Sequence, residues 1–203
     1  MIDTIIFDWA GVVSDNIRQV YAVSMMIFKT HGVPLLTLEQ YLHEFEAPYM
    51  NFYWKFIPGC SKAEQDKQFA EEIVKQPPSV AFPGIVDEIH RLHVAGKRLY
   101  VLSADGEATI FAETERFGVR HLFSEIAYGI HDKMKEIAPM VKRHGINPET
   151  SCIIGDTVHE IDTGRSVGMK TAAVTWGFTD EKRLSAAKPD YLFHTVSDLH
   201  QLL

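Results

Sequence analysis

The chain begins Met1-Ile-Asp-Thr-Ile-Ile-Phe-Asp-Trp-Ala-Gly11, an apolar run with β-branched residues that ends in an aspartate and a glycine. This composition predicts a short β-strand, and Gly11 breaks it. Asp8 is therefore held where the strand ends. In a parallel α/β sheet that edge is where ligands bind, so we expect Asp8 to act as a nucleophile or a metal ligand.

Three further apolar runs, at residues 99–102, 151–154 and 171–174, have the length and composition of strands buried on both faces. Amphipathic stretches alternate with the apolar runs, and a glycine that suits a helix C-cap follows each one. These stretches cover residues 85–92, 133–144 and 159–167, and their glycines are Gly96, Gly145 and Gly168. The alternation predicts parallel βαβ units and hence an α/β fold with a Rossmann-like parallel sheet.

Residues 14–78 interrupt this alternation, because they contain no strand-like run and their apolar residues recur at helical spacing. The segment ends at the stiff pair Pro77-Pro78. We therefore expect a core domain made of residues 1–13 and 79–203, with residues 14–78 inserted as an all-helical cap domain.

The chain has 203 residues, 46% of them hydrophobic, which is enough for one sizeable core and a small insertion. Its formal charge of −7 and its spread of 20 basic residues argue against a nucleic-acid or membrane partner. Cys60 and Cys152 lack metal or redox spacing, so we expect two buried thiols in a cytoplasmic protein without a signal peptide. We therefore expect the partner to be a small-molecule substrate. The sequence is compatible with a monomer and with a homodimer.

Four polar residues follow separate strands or open a helix: Asp8, Ser103, Lys133 and Asp156. In a doubly wound sheet such strand ends converge on one crevice. Together these residues supply a carboxylate nucleophile, a hydroxyl donor, a fixed positive charge and a second acid for a divalent cation. The set suits phosphoryl transfer, in which neutralising the charge on the transferred group is the main task.

These residues stand in motifs that resemble those of the haloacid dehalogenase-like hydrolase superfamily, and the likeness covers nearly the whole chain. The four motifs, in order, are Asp8-Trp-Ala-Gly11, Ser103, Lys133 and Gly155-Asp-Thr-Val-His-Glu160. The chain is similar to the members with a helical cap, such as phosphoglycolate phosphatase and phosphonoacetaldehyde hydrolase.

The resemblance implies that Asp8 attacks phosphorus to form an aspartyl-phosphate, which water then hydrolyses. It also implies that Mg²⁺ bridges Asp8 and the phosphate. Asp156 is assigned to the metal, Ala10 to the same metal site, and Glu160 to a bound water or the surroundings of the ion. The implied activity is Mg²⁺-dependent hydrolysis of a small phosphorylated metabolite.

The resemblance also assigns a set of residues to the phosphate group. Ser103 and Lys133 would hold its oxygens, and Lys133 is preferred to Lys135 because of its spacing to Gly145. The remaining phosphate-binding positions are Trp9, Ala10 and Ala104.

Ala10 is the departure from the pattern, because the phosphatases of this superfamily usually carry a second aspartate there. That acid protonates the departing alkoxide, so its loss should slow ester hydrolysis by about 10²–10⁴-fold if nothing replaces it. Alanine at this place is similar to phosphonoacetaldehyde hydrolase, which cleaves a carbon–phosphorus bond through a cap lysine. A third reading is a catalytically weak member that binds a phosphorylated ligand or a protein partner.

Two other side chains have alternative interpretations. The cap lysine of the carbon–phosphorus hydrolases would align with Tyr53, and Lys55 lies two residues away, so we expect Lys55 to be an exposed charge. We expect the neighbouring aromatic residues to pack in the core of the cap. His159 is expected on the surface, with a proton-donor role in the crevice as the alternative.

Overall fold

The structure, a computed structural model, describes all 203 residues. Its strands are β1 (Thr4–Phe7), β2 (Ser14–Asp15), β3 (Val80–Ala81), β4 (Arg98–Leu102), β5 (Phe123–Ala127), β6 (Ser151–Gly155), β7 (Lys170–Val174) and β8 (Tyr191–Phe193). Six of them form a parallel sheet in the order β5-β4-β1-β6-β7-β8. The expected α/β fold with a Rossmann-like parallel sheet is confirmed.

Nine α-helices accompany the strands: α1 (Ile17–Thr30), α2 (Leu38–Glu44), α3 (Tyr49–Phe56), α4 (Lys62–Ile73), α5 (Ile85–Val94), α6 (Glu107–Arg116), α7 (Lys133–His144), α8 (Val158–Ser166) and α9 (Glu181–Ala186). The last five alternate with the strands of the sheet. The first four are consecutive, and we call residues 17–73 the helical segment. Short 3₁₀ helices lie at Arg120–Leu122, Pro148–Thr150 and Val196–Leu202.

Strand β1 lies at the centre of the sheet because its residues are apolar on both faces. Ile5 pairs with Leu99 of β4 on one side and with Cys152 of β6 on the other. All four residues of β1 are buried. The strand therefore delivers the residues that follow it to the middle of the carboxyl edge of the sheet.

Strand β5 has no counterpart among the runs that the sequence predicts. It reads Phe-Ser-Glu-Ile-Ala and lies at the edge of the sheet, where one side of the strand has no partner. Its Glu125 is only partly buried and pairs with Arg143 at 2.6 Å. An edge strand with polar residues lacks the continuous apolar run that reveals the central strands.

The helical segment has its own apolar cluster, which includes Phe28, Tyr41 and Phe52. The rings of Phe28 and Phe52 stack with their centroids 5.6 Å apart. Phe178, which follows β7, joins this cluster and stacks on Phe45 at 4.8 Å. The aromatic residues are thus core residues as expected, although Trp54 is 49% exposed.

The segment connects to the sheet through two short strands. Ser14 pairs with Ala81 and Asp15 with Val80, antiparallel to each other. The side-chain hydroxyl of Ser14 also donates to that of Ser79 at 3.0 Å. The chain therefore leaves and re-enters the sheet region at one place, beside the end of β1.

Both cysteines are buried free thiols, as expected. Cys60 packs in the apolar cluster of the helical segment, and Cys152 lies in the central sheet. None of the helices combines the length and the hydropathy that crossing a membrane requires.

Candidate active site

Asp8 is held immediately after β1 by both its backbone and its side chain. Its N–H donates to the Ile154 carbonyl at 2.8 Å, which extends the pairing of β1 with β6. Its Oδ1 accepts the Trp9 N–H at 2.7 Å and lies 2.7 Å from Lys133 Nζ. Asp8 is 7% exposed and lines a cavity. A carboxylate is therefore fixed in one orientation in a largely dry site.

Lys133 begins α7 and lies between two carboxylates. Its Nζ is 2.7 Å from Asp8 Oδ1 and 2.7 Å from Glu160 Oε1. Burial lowers the pKa of Lys133, but the two carboxylates outweigh burial and raise it above its ordinary value. The side chain of Lys135 is 86% exposed and pairs with Asp132 instead. Lys133 is thus the fixed positive charge of the site.

Glu160 lies in the first turn of α8 with both carboxylate oxygens occupied. Oε1 accepts from Lys133, and Oε2 accepts from the Thr157 N–H at 3.1 Å and the Thr157 hydroxyl at 2.6 Å. The bond to the Thr157 N–H completes a capping box. Glu160 therefore orients Lys133 and the helix terminus in this arrangement.

Asp156 follows β6 and lies in a space that two glycines leave open. A Cβ atom at Gly11 or at Gly177 would overlap the side chain of Asp156. Gly11 also has φ = +74°, which disfavours other residues. The Asp156 Oδ2 accepts the Phe178 N–H at 2.6 Å. The backbone on both sides thus fixes this acid beside Asp8.

The three acids form one buried cluster of excess negative charge. One carboxylate oxygen from each of Asp8, Asp156 and Glu160 lies within 4.8 Å of the others. Burial and the charge of Glu160 raise the pKa of Asp8 to about 6 against the pull of Lys133. Burial and the charge of Asp8 raise the pKa of Asp156 well above its usual range. A buried set of oxygen ligands that a single lysine leaves under-compensated fits a hard divalent cation.

Ser103 is fully buried directly after β4 and lines the same cavity as the acids. Its hydroxyl accepts the Asp105 N–H at 3.1 Å and donates to Asp105 Oδ2 at 3.2 Å. No motif in the sequence identifies Asp105, which is an acid three residues beyond the end of β4. Burial, with Glu113 and Asp8 nearby, raises the pKa of Asp105 to about 7. A carboxyl group that is only partly ionised at neutral pH therefore lines the same cavity.

Trp9 and Ala10 follow Asp8, and their side chains point to different places. The Trp9 ring is fully buried in the core, where its Nε1 donates to Glu113 Oε2 at 2.7 Å. Trp9 does not line the cavity, and its backbone N–H already donates to Asp8 Oδ1. Ala10 lines the cavity with a methyl group. Ala104, after Ser103, lines it as well.

The cavity has a volume of about 750 Å³ and lies between the sheet edge and the helical segment. The polar residues that line it on the side of the sheet include Asp8, Ser103, Lys133, Asp156 and Glu160. Tyr41, Tyr53 and Gln65 line it from the helical segment. A pocket of this size and position suits a small ligand.

The family model for haloacid dehalogenase-like hydrolases matches residues 5–174. The chain belongs to the haloacid dehalogenase-like hydrolase family. The match spans every residue of the acidic cluster, together with Ser103 and Lys133, so the expected superfamily is confirmed.

Named relatives of this hydrolase are phosphatases. A phosphoglycolate phosphatase from Synechococcus elongatus is 38% identical over 122 residues, which are 59% of this chain and 58% of that protein. A pyrophosphatase, PpaX, from Oceanobacillus iheyensis is 24% identical over 207 residues, which are 98% of this chain and 95% of that protein. The match to the phosphoglycolate phosphatase therefore spans little more than half of that protein's length.

Solved structures of the family share the fold. A haloacid dehalogenase-like family protein from Streptococcus pneumoniae superposes with a TM-score of 0.84 at 23% identity, covering 98% of this chain and 97% of that one. CbbY from Rhodobacter sphaeroides, solved in complex with phosphate, has a TM-score of 0.77 at 20% identity, covering 98% and 96%. At these identities the likeness establishes the architecture.

His159 of this hydrolase lies in the crevice, so the expectation of a surface position is wrong. Its side chain is 8% exposed, and its Nε2 accepts the Lys133 N–H at 3.2 Å. Burial lowers the pKa of His159, which keeps the ring neutral. The first turns of α7 and α8 pack together, and this packing covers the ring.

Lys55 lies outside the cavity. Its Nζ is 2.5 Å from Glu44 and 3.5 Å from Glu46, and its side chain is 43% exposed. The expected exposed charge is therefore observed. Tyr53, at the aligned position, is buried and lines the cavity.

Replacing Lys133 by Met should both inactivate and destabilise this hydrolase. The change leaves Asp8 and Glu160 buried without their cation, at a cost of about 3–5 kcal/mol of unfolding free energy. We expect the Lys133 charge to stabilise the transferred group, so its loss should reduce turnover by about 10²–10³-fold. Urea unfolding and phosphate release measure the two effects. Lys135→Met, two residues along the same helix but exposed, should change neither, and equal effects of the two variants would contradict the assignment.

Proposed function

We propose that the chain is a Mg²⁺-dependent phosphohydrolase that acts on a small phosphorylated metabolite through an aspartyl-phosphate on Asp8. The observation that carries the proposal is the contact of buried Asp8 with Lys133, beside Asp156 and open to the cavity. A carboxylate so held can approach phosphorus, while its surroundings neutralise charge.

In the proposed reaction, Asp8 attacks the phosphorus atom and the bond from phosphorus to the leaving oxygen breaks. The leaving group departs with that bond's electron pair, and a water molecule then hydrolyses the acyl phosphate to regenerate Asp8 and release phosphate. Lys133 and the Ser103 hydroxyl would bind the non-bridging oxygens. A cation at the acidic cluster would neutralise the phosphate charge.

Asp8 and Asp156 are the side chains that would hold Mg²⁺, with the Ala10 backbone beside them. Glu160 is proposed as a positioning residue, because both of its oxygens already accept hydrogen bonds. We propose that residues 14–78 form the cap domain over the site and residues 1–13 and 79–203 the core. A cap that covers the cavity would exclude bulk water during attack.

Carbon–phosphorus hydrolysis is the second candidate, and Ala10 favours it. Lys55 does not line the cavity and instead pairs with Glu44 and Glu46. Lys62 does line the cavity, but its Nζ lies 2.5 Å from Asp66 Oδ2. A lysine that forms a Schiff base needs an amino group that is free to approach the substrate, whereas the Lys62 amino group is held in an ion pair with Asp66. The phosphohydrolase is therefore preferred.

Phosphate release from a panel of substrates, with and without Mg²⁺, tests the proposed function. The panel should contain acetyl phosphate, phosphoglycolate and phosphonoacetaldehyde. We expect Mg²⁺-dependent release from at least one phosphate ester or acyl phosphate. Release from phosphonoacetaldehyde alone would instead identify a carbon–phosphorus hydrolase. No release from any compound would favour a catalytically weak member that binds a phosphorylated ligand or a protein partner.

Mg²⁺ should raise the melting temperature, and more so at neutral than at acidic pH. The folded-state pKa values of Asp8 and Asp105, about 6 and about 7, lie above the ordinary 3.8, so protonation favours the folded state. These groups therefore reduce the stability of the metal-free protein as the pH rises from about 4 to about 7. A cation that binds the ionised cluster relieves this penalty.

Thermal melts with Mg²⁺ or with a chelator, at about pH 5 and about pH 7.5, measure the shift. Asp156→Asn should lose most of it. A melting temperature that does not respond to Mg²⁺ at either pH would contradict the metal assignment.

A further inference from the structure

We infer that the part of the substrate beyond the phosphate is uncharged and carries hydroxyl groups, which Asn16, Gln65 and His131 bind. This inference rests on the proposed phosphohydrolase function and names the class of its leaving group. It excludes a second anionic group, such as a carboxylate or another phosphate.

Three buried polar atoms that line the cavity have no hydrogen-bond partner. They are Asn16 Oδ1, Gln65 Oε1 and His131 Nδ1. Asn16 is 5% exposed and Gln65 is 2% exposed. Buried polar atoms are nearly always paired in folded proteins, so three that share one cavity call for an explanation. A bound ligand that supplies their partners provides it.

The local structure of Asn16 and Gln65 supports this explanation. Asn16 is the N-cap residue of α1, but its side chain makes no capping hydrogen bond, although asparagine usually does so there. In α4, Gln65 is the only buried residue, while its charged neighbours Glu64 and Lys67 are exposed. The fold therefore turns a polar side chain inward at a place where an apolar one is usual.

The atom types select the ligand group. Asn16 Oδ1 and Gln65 Oε1 are acceptors only and need a donor. A carboxylate or a fully ionised phosphate has no proton to donate, whereas a hydroxyl donates and also accepts. Burial lowers the pKa of His131, so its ring is neutral and offers no positive charge to an anion.

The charges around the cavity also disfavour a second anion. Away from the acidic cluster, the lining contains the carboxylates Asp66, Glu107 and Glu113, together with Asp105, whose raised pKa leaves it only partly ionised at neutral pH. Its two other strong bases are already engaged: Lys62 by Asp66, and Arg116 by the Ser79 carbonyl at 2.7 Å. The acids in this part of the lining outnumber its bases, so an anionic leaving group would meet net repulsion.

A matched pair of substrates tests whether the enzyme prefers an uncharged leaving group. Phosphoglycolate and 2-hydroxyethyl phosphate have the same two-carbon chain and both release a primary alkoxide, but only the first carries a carboxylate. We expect kcat/KM to be at least about 10-fold higher for 2-hydroxyethyl phosphate. Equal values, or a preference for phosphoglycolate, would overturn the inference while leaving the phosphohydrolase intact. Failure to release phosphate from any compound would instead reject the proposed function.

Variants of Gln65 and Asn16 test whether these residues bind the hydroxyl groups of the substrate. Gln65→Leu should raise KM for glycerol phosphate about 3–10-fold more than KM for phenyl phosphate, which offers no hydroxyl. Gln68→Leu is the matched control, since it makes the same change on α4 outside the cavity lining, and it should leave the ratio of the two KM values unchanged. Equal losses on both substrates in Gln65→Leu would mean a structural role only, and would overturn the assignment. Asn16→Leu is expected to behave like Gln65→Leu.

Discussion

Asp8→Asn is expected to abolish Mg²⁺-dependent phosphate release, by at least about 10³-fold. The amide cannot attack phosphorus, and it has no charge to share with a metal or with Lys133. Because Lys133 keeps Glu160 as a partner at 2.7 Å, the variant should still fold. Steady-state release from acetyl phosphate measures the loss, and circular dichroism checks the fold.

Asp87→Asn is the control for this change, because it removes an exposed carboxylate from α5 on the surface of the protein. It should leave the rate unchanged. If Asp8→Asn retained wild-type activity, Asp8 would not be the nucleophile, and another group in the site would have to attack phosphorus.

The second large effect is expected at Ala10, whose methyl group cannot exchange a proton with the leaving group. The carboxylate of an acyl phosphate and the phenolate of an aryl phosphate can leave without being protonated. The wild type should therefore hydrolyse these compounds far better than alkyl phosphates. Ala10→Asp should raise alkyl phosphate turnover by about 10–10³-fold, since the side chain at this position lines the cavity. A series of phosphate esters with graded leaving-group pKa measures both effects.

Ala10→Asn has the same size as Ala10→Asp but no acid, and it should give no such gain. A flat dependence of the wild-type rate on leaving-group pKa would contradict this prediction. Another group would then supply the proton, and Asp105, with its pKa of about 7, is the acid in the cavity best suited to do so.

The central sheet could be predicted from the sequence because its strands are buried on both faces. Three runs are apolar without interruption: residues 5–7 of β1, residues 152–154 of β6 and residues 172–174 of β7. The residues after such strands follow from topology alone, which is why Asp8 and Asp156 could be placed at one edge. Glycine endings marked the helices equally well, as at Gly145 after α7.

What the sequence could not reveal depends on packing between distant segments. Strand β5 is recognisable only through its pairing with β4, because its own residues mix polar and apolar types. His159 is buried because α7 packs over it, and a single helix gives no sign of that contact. The pairing of Glu160 with Lys133 joins residues that are 27 positions apart. Asp105 was overlooked for a different reason: acids near strand ends are common, and only burial distinguishes this one.

Trapping the covalent intermediate tests the central claim most directly. The protein would be mixed with acetyl phosphate and Mg²⁺, quenched in acid, reduced with borohydride and digested with trypsin. The peptide Met1–Arg18 contains Asp3, Asp8 and Asp15, so the two other aspartates serve as internal controls. We predict conversion of Asp8 alone to homoserine, dependent on Mg²⁺ and lost in Asp8→Asn. Turnover without any modification of Asp8, or with modification of another residue, would contradict the aspartyl-phosphate mechanism.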